Sequence, residues 1–248
     1  MAQSPDYRRI LGGVTFVFLI VVPILTMRFS EESRHKTDQL LLTSPLSITD
    51  IVLGKYFAAL TVFCLGVFVT MLHPLLLSVA GTVVVSEIIS AYIGFFLLGA
   101  ACIAVGVFVS SLTQNQVISA VVTFALLLLM WILDYLQEGI PGDRISGVIL
   151  AAIMVAGTAL FVYFSIRHLL VSMLLAIAGG GLVLFLFIAS PGAFDGLIIR
   201  ILQWFSLLTR YQDFTLGVLK LSPIVYFLSF SAVFLYLTVR VIDKRRWK

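Results

Sequence analysis

The chain has 248 residues, 61% of them hydrophobic and 11% charged, with a mean hydropathy of +1.14. An ordinary soluble domain is about 45–50% apolar and about 25% charged, so a water-soluble globular protein is excluded. The net charge of +4 comes from basic residues set singly or in short runs beside apolar segments, a pattern of membrane topology and not of a nucleic-acid partner.

A bilayer core about 30 Å thick needs about 20 apolar residues in a helix. Seven stretches without a central charge approach that length: Ile10 to Met27, Tyr56 to Val79, Ile88 to Ser110, Val117 to Leu133, Gly147 to Ile166, Leu169 to Ala189 and Ile224 to Val239. No polar block is long enough for a second core, so the expectation is one all-α, polytopic membrane helix bundle of about seven spans over residues 1–248. The first stretch lacks a small-residue cleavage site and runs into Pro23 and a charged loop, which makes it a retained span and not a secretory signal.

Orientation follows from Lys and Arg. One face collects Arg28, Arg34, Lys36, Lys55, Arg167, Arg240, Lys244, Arg245, Arg246 and Lys248, and the other Arg8, Arg9, Arg144, Arg200, Arg210 and Lys220. Ten against six puts the C-terminus and the Arg28 to Lys55 loop in the cytoplasm and the N-terminus outside.

The spans contain almost no ionisable groups, whereas ion-coupled transporters place Asp, Glu, His, Lys or Arg within them. His73, followed by Pro74, is the exception, and it reads more readily as an interfacial histidine bonded to a backbone carbonyl freed by proline than as a ligand. Phosphate-loop, dinucleotide, zinc-protease and nucleophile-elbow motifs are absent from the sequence, and Cys64 and Cys102 lie inside apolar runs. Catalysis and a bound cofactor are therefore not expected of this chain. Gly179, Gly180 and Gly181 fall within a span, where close packing or a kink is the expected role, and Ala100 with Ala104, Cys102 with Gly106 and Ala152 with Ala156 are expected packing faces.

The loops carry more information. Arg28 to Lys55, RFSEESRHKTDQLLLTSPLSITDIVLGK, begins as a polar helix with Glu31, Glu32, Arg34, His35, Lys36 and Asp38, turns apolar at Leu40, Leu41 and Leu42, and stops at Thr43, Ser44 and Pro45. Ser44 fits an N-cap with Pro45 as first helical residue, and Ser47 with Asp50 gives a capping-box signal before the next span. Such an amphipathic element either rests on lipid or docks a cytoplasmic partner. Ser110 to Gln116 is a short, uncharged polar turn on the same side. On the outer side, Ser190 to Ser222 contains the mostly apolar Leu197 to Leu208, with Arg200 and Gln203 on one stripe and Trp204 among the apolar positions, which suits an interfacial or re-entrant helix.

The stretches Val22 to Lys55, Leu97 to Gln116 and Ile224 to Trp247 resemble the ABC-2 type permeases, in particular the branch related to gliding-motility permeases; the first stretch is the specific one. The resemblance implies an exporter permease fold in the cell membrane, C-terminus cytoplasmic, with a coupling helix in the 28–55 loop carried by Glu31, Glu32, Thr37, Asp38, Leu40, Leu41, Leu42, Ser44 and Pro45. It also implies a cytoplasmic ABC ATPase subunit that holds ATP and Mg, a second permease chain, and a further amphipathic helix and span ahead of Met1. Export is expected over import, and the substrate is open. A non-transporting membrane scaffold or assembly factor using the same loops is the alternative from another class, and a secondary transporter, lacking intramembrane carboxylates, comes third.

Overall fold

The computed structural model describes residues 13–34, 47–74, 76, 85–139, 144–166, 169–189 and 195–246. Among them there is no strand. After a 3₁₀ turn at Thr15–Val17 come helices α1 (Phe18–Arg34), α2 (Ile48–Thr70), α3 (Val85–Leu112), α4 (Gln116–Gly139), α5 (Arg144–Ile166), α6 (Leu169–Ala189), α7 (Leu197–Phe205), α8 (Leu207–Thr215) and α9 (Leu221–Arg246). Among the described residues, four segments are long and apolar enough to cross a membrane: Ile48–Pro74, Val85–Leu112, Gln116–Leu133 and Leu221–Lys244. The other three expected spans fall on shorter apolar helices, Thr15–Phe29, Gly147–Ala159 and Ala176–Ala189.

Local chemistry sets the helix starts. The Asp50 amide donates to Ser47 Oγ at 3.2 Å and the Ser47 amide to Asp50 Oδ2 at 3.3 Å, a closed capping box that starts α2 at Ile48, before the expected Tyr56. Asn115 Oδ1 accepts from the Val117 amide at 2.9 Å and opens α4. Helix α3 continues to Leu112, with the Ser110 and Ser111 hydroxyls donating back to the carbonyls of Val107 and Phe108, and the expected Ser110 to Gln116 turn shrinks to 113–115.

The chain divides into two compact units, Met1–Trp131 with Leu207–Lys248, and Ile132–Ser206. In the first, α3 is the central post, packed by α1, α2, α8 and α9. Its side chains are buried from Ala100 through Val107, a run of small residues that lets neighbouring backbones approach. The expected faces at Ala100, Ala104, Cys102 and Gly106 all lie in this buried run. Contacts fix helix directions. Thr70 pairs with Tyr92, Phe63 with Phe95 and Gly99, and Tyr56 with Ala100, so α2 is antiparallel to α3. Phe18 meets Phe95 and Thr26 meets Gly106, while Phe227 stacks near Phe214 beside Gly94 and Phe234 meets Phe108. Helices α1 and α9 therefore run parallel to α3. The ends of α1, α3 and α9 and the start of α2 gather at one end of the unit, termed basal here.

In the second unit α5 and α6 pack on each other, and α7 against α5. A Cβ at Gly179 would sit 2.6 Å from Val155 Cγ1, so this glycine serves close packing, whereas Gly180 and Gly181 face open space. The expected face at Ala152 and Ala156 is a correction: both are exposed, because α5 presents Val155 to α6 instead.

Candidate functional site

The basal end holds the flanks of the loop singled out in the sequence. Glu31 and Glu32 occupy the last turn of α1. Thr37, Asp38, Leu40, Leu41, Leu42, Ser44 and Pro45 lie outside the described residues, as does the expected cap at Ser44 and Pro45. The two flanks meet one another. Lys55 Nζ stands 5.8 Å from the centre of the Phe29 ring, a cation–π contact tying the end of α1 to the first turns of α2. Arg28, Asp50, Arg240 and Lys244, on the basal turns of α1, α2 and α9, are exposed, and Arg240 Nε donates to Tyr236 Oη at 2.8 Å.

From the junction, contacts lead inward. Tyr56 Oη donates to the Ala100 carbonyl at 3.3 Å, and one turn-pair further Phe63 joins Phe18, Phe95 and Phe96 in an aromatic cluster with ring centres 4.6–6.3 Å apart. A Cβ on Gly106 would sit 2.5 Å from Thr26 Oγ1, so α1 presses directly on the α3 backbone. Helices α1 and α2 are thus both in direct contact with α3, on its backbone at Gly106 and at Ala100.

At the opposite, distal end α8 lies along α3. Leu207 and Leu208 share an apolar cavity of about 30 Å³ with Leu98 and Cys102, while Phe214 packs on Gly94 and Gly217, with φ of 75°, meets Glu87. The left-handed backbone at Gly217 turns the chain toward α9. Helix α3 is about 42 Å long, and Leu98 lies about 20 Å from its start. Helix α8 thus reaches from the distal end of α3 to its middle.

The sequence pattern expected one element from Leu197 to Leu208. Two helices form instead, α7 and α8, divided at the buried Ser206, and α8 continues to Thr215. Leu207, Tyr211 and Phe214 are its buried face, an i, i+4, i+7 spacing that was readable but stood among polar residues. On α7, Arg200 and Gln203 are exposed, and Trp204 is exposed with them at 64%. His73 is also exposed and, among the described residues, makes no hydrogen bond to the backbone, so its expected bond to a freed carbonyl is a correction. Pro74, its neighbour, is buried.

Arg210 was counted in the sequence only as an outer-loop cation. The structure places its guanidinium 3.9 Å from the centre of the Tyr226 ring, with Nε sealed from solvent and without a hydrogen-bond partner.

Residues 2–136, more than half of the chain, match the family model described as ABC-2 family transporter protein. The matched region takes in α1, the 28–55 loop, α2, α3 and most of α4. No curated protein and no solved structure gives a match.

Proposed function

Since the chain belongs to the ABC-2 transporter family and is a multi-pass membrane protein, the permease component of an ABC transporter, we propose that it couples ATP hydrolysis by a separate cytoplasmic subunit to export. The observation that carries this reading is the basal junction, where both flanks of the 28–55 loop meet and where α1, α2, α3 and α9 all end or begin. A partner seated on the loop would move α1 and α2 together, and their close contacts on α3 would shift the bundle between inward- and outward-open packings. Such coupling is reciprocal: a partner that favours one packing is itself bound better by it.

In this reading the basal end, rich in exposed cations, faces the cytoplasm, which puts the C-terminus there. The bundle has about seven spans as one transmembrane domain in the cell membrane, residues 190–222 form the outer loop with α7 and α8, and two permease chains pair around the path. The likeness of Val22 to Lys55 to gliding-motility permeases supports placing it in that branch. Glu31, Glu32, Thr37, Asp38, Leu40, Leu41, Leu42, Ser44 and Pro45 form the coupling surface, with Leu40 to Leu42 as its apolar contact. ATP and Mg belong to the partner.

The test is co-purification of the tagged chain from its native cells. An ATPase should be retained by the wild type and lost on Leu41→Asp, with membrane insertion unchanged. Retention of the ATPase and of stimulated hydrolysis by Leu41→Asp would refute the docking assignment. Absence of any ATPase from the wild type would favour the scaffold reading.

A further inference from the structure

A guanidinium whose Nε is sealed from solvent without an acceptor is costly, so it carries information. Arg210 lies seven residues before Gly217, which meets Glu87 in the first turn of α3, and so about 10 Å inward along α8. Its side chain is partly buried, its Nε is sealed, and among the described residues it makes no hydrogen bond and no ion pair. Its guanidinium lies over the ring of Tyr226 on α9, at 3.9 Å. Neighbouring carboxylates are engaged elsewhere: Asp213 accepts from Lys220 Nζ at 2.9 Å, and Glu87 sits against Gly217 with a partner of its own.

A ring face offsets part of the charge but accepts none of the five N–H groups, which are arranged as a fork for a planar or tetrahedral oxyanion. Buried charges are ordinarily paired, and ionisable groups within a membrane bundle mark binding or transport sites. Arg210 also lies in the N-terminal half of α8, whose backbone favours negative charge. The Tyr226 ring holds the guanidinium in place but leaves its N–H groups for a ligand.

We propose that Arg210, braced by Tyr226, is an anion-binding site at the distal half of the bundle, and that it takes the phosphate-type head group of an amphiphile. The inference rests on the permease reading for its role in transport, where it names the substrate class as anionic. As a binding site it stands on its own. The head group and a free phosphate share the same chemistry, and the experiment separates them.

The full-length chain in phosphatidylcholine nanodiscs is titrated with dioctanoyl phosphatidic acid, with dioctanoyl phosphatidylcholine and with inorganic phosphate. Phosphatidic acid should bind at least about 10-fold tighter than phosphatidylcholine, and Arg210→Gln should lose about 10-fold or more, the scale of a charge-assisted hydrogen bond. Lys244→Gln, removing an exposed cation at the basal end, should bind as wild type. Where Arg210→Gln fails to insert, Arg210→Lys decides, with a several-fold loss expected because the charge remains and the fork does not. Displacement of phosphatidic acid by inorganic phosphate would identify the ligand as the free anion, supporting the site and overturning the amphiphile. No preference for phosphatidic acid in the wild type, wild-type binding by the Arg210 variants, or an equal loss on Lys244→Gln would overturn the proposal. The readout is equilibrium binding, so a chain that binds phosphatidic acid but recruits no ATPase keeps this site while the coupling reading fails.

Discussion

Substituting Gly99 by alanine tests whether α2 and α3 are locked at the level of the aromatic cluster. A Cβ built on Gly99 falls 2.2 Å from Phe63 Cζ and 2.4 Å from Cε1, whereas carbon atoms in contact lie about 3.5–4.0 Å apart. The Phe63 ring must therefore retreat by more than about 1 Å, yet Phe18, Phe95 and Phe96 stand behind and beside it. Overpacking of this kind costs about 1–3 kcal/mol, roughly 5- to 150-fold in the folded-to-unfolded ratio. Gly66→Ala on α2 is the control, because nothing lies within 4 Å of its Cβ position and alanine is the better helix former. The assay is SDS-induced unfolding of the purified protein, with Gly99→Ala, Gly66→Ala and the double variant Gly99→Ala/Phe63→Leu compared. Gly99→Ala should be destabilised by the stated amount, Gly66→Ala should be neutral or slightly stabilised, and shortening Phe63 should restore part of the loss as a coupling of about 0.5–3 kcal/mol. Equal stability of the two alanine variants would refute the reasoning.

Two further outcomes follow from named bonds. Ser47→Ala opens the capping box of α2 and should cost about 1 kcal/mol in the same assay, with Asp50→Ala adding little on top because both residues serve one motif. Tyr211→Phe removes a buried hydroxyl that has no hydrogen-bond partner and should be neutral or stabilising, while Tyr92→Phe removes the donor to the Thr70 carbonyl at 2.8 Å and should cost about 1 kcal/mol; a reversed order would show that the two hydroxyls are misassigned.

What the sequence discloses is mostly local. Ser47 and Asp50 specify their helix start because both partners lie within one turn, and the structure closes that box as the pattern implies. Counting charge-free residues starts the second span at Tyr56, while the helix begins at Ile48: Asp50 and Lys55 interrupt hydropathy but not backbone hydrogen bonding. Four-residue spacing of small side chains marks a helix that can be packed closely, not the face that is packed. Cys102 and Gly106 are buried, but Ala152 and Ala156 have the same spacing and are exposed, because contact depends on what the neighbouring helix offers. Arg210 shows the same limit. Its type is legible and its environment is not, since Tyr226 is sixteen positions away on another helix and only the turn at Gly217 brings the two together.

Helix α3 joins the two ends of the first unit. At its basal half it is pressed by Thr26 at Gly106 and held by Tyr56 at Ala100; at its distal half Phe214 fills the space above Gly94 and Tyr92 bonds back to α2. Each glycine contact puts a side chain against backbone, so sliding one helix past another would meet atoms within an ångström or two. A post gripped this way along its length moves as a body rather than bending, and bistable packing of such bodies is how small displacements become large ones. Under the coupling proposal, a push on the 28–55 loop is therefore felt at α8, because α1 and α2 pack on α3, α2 also packs on α9, and both α3 and α9 carry α8. The small apolar cavity beside Leu98 and Cys102 is where that motion has room to begin, since Phe18 of α1 and Leu207 of α8 both line it.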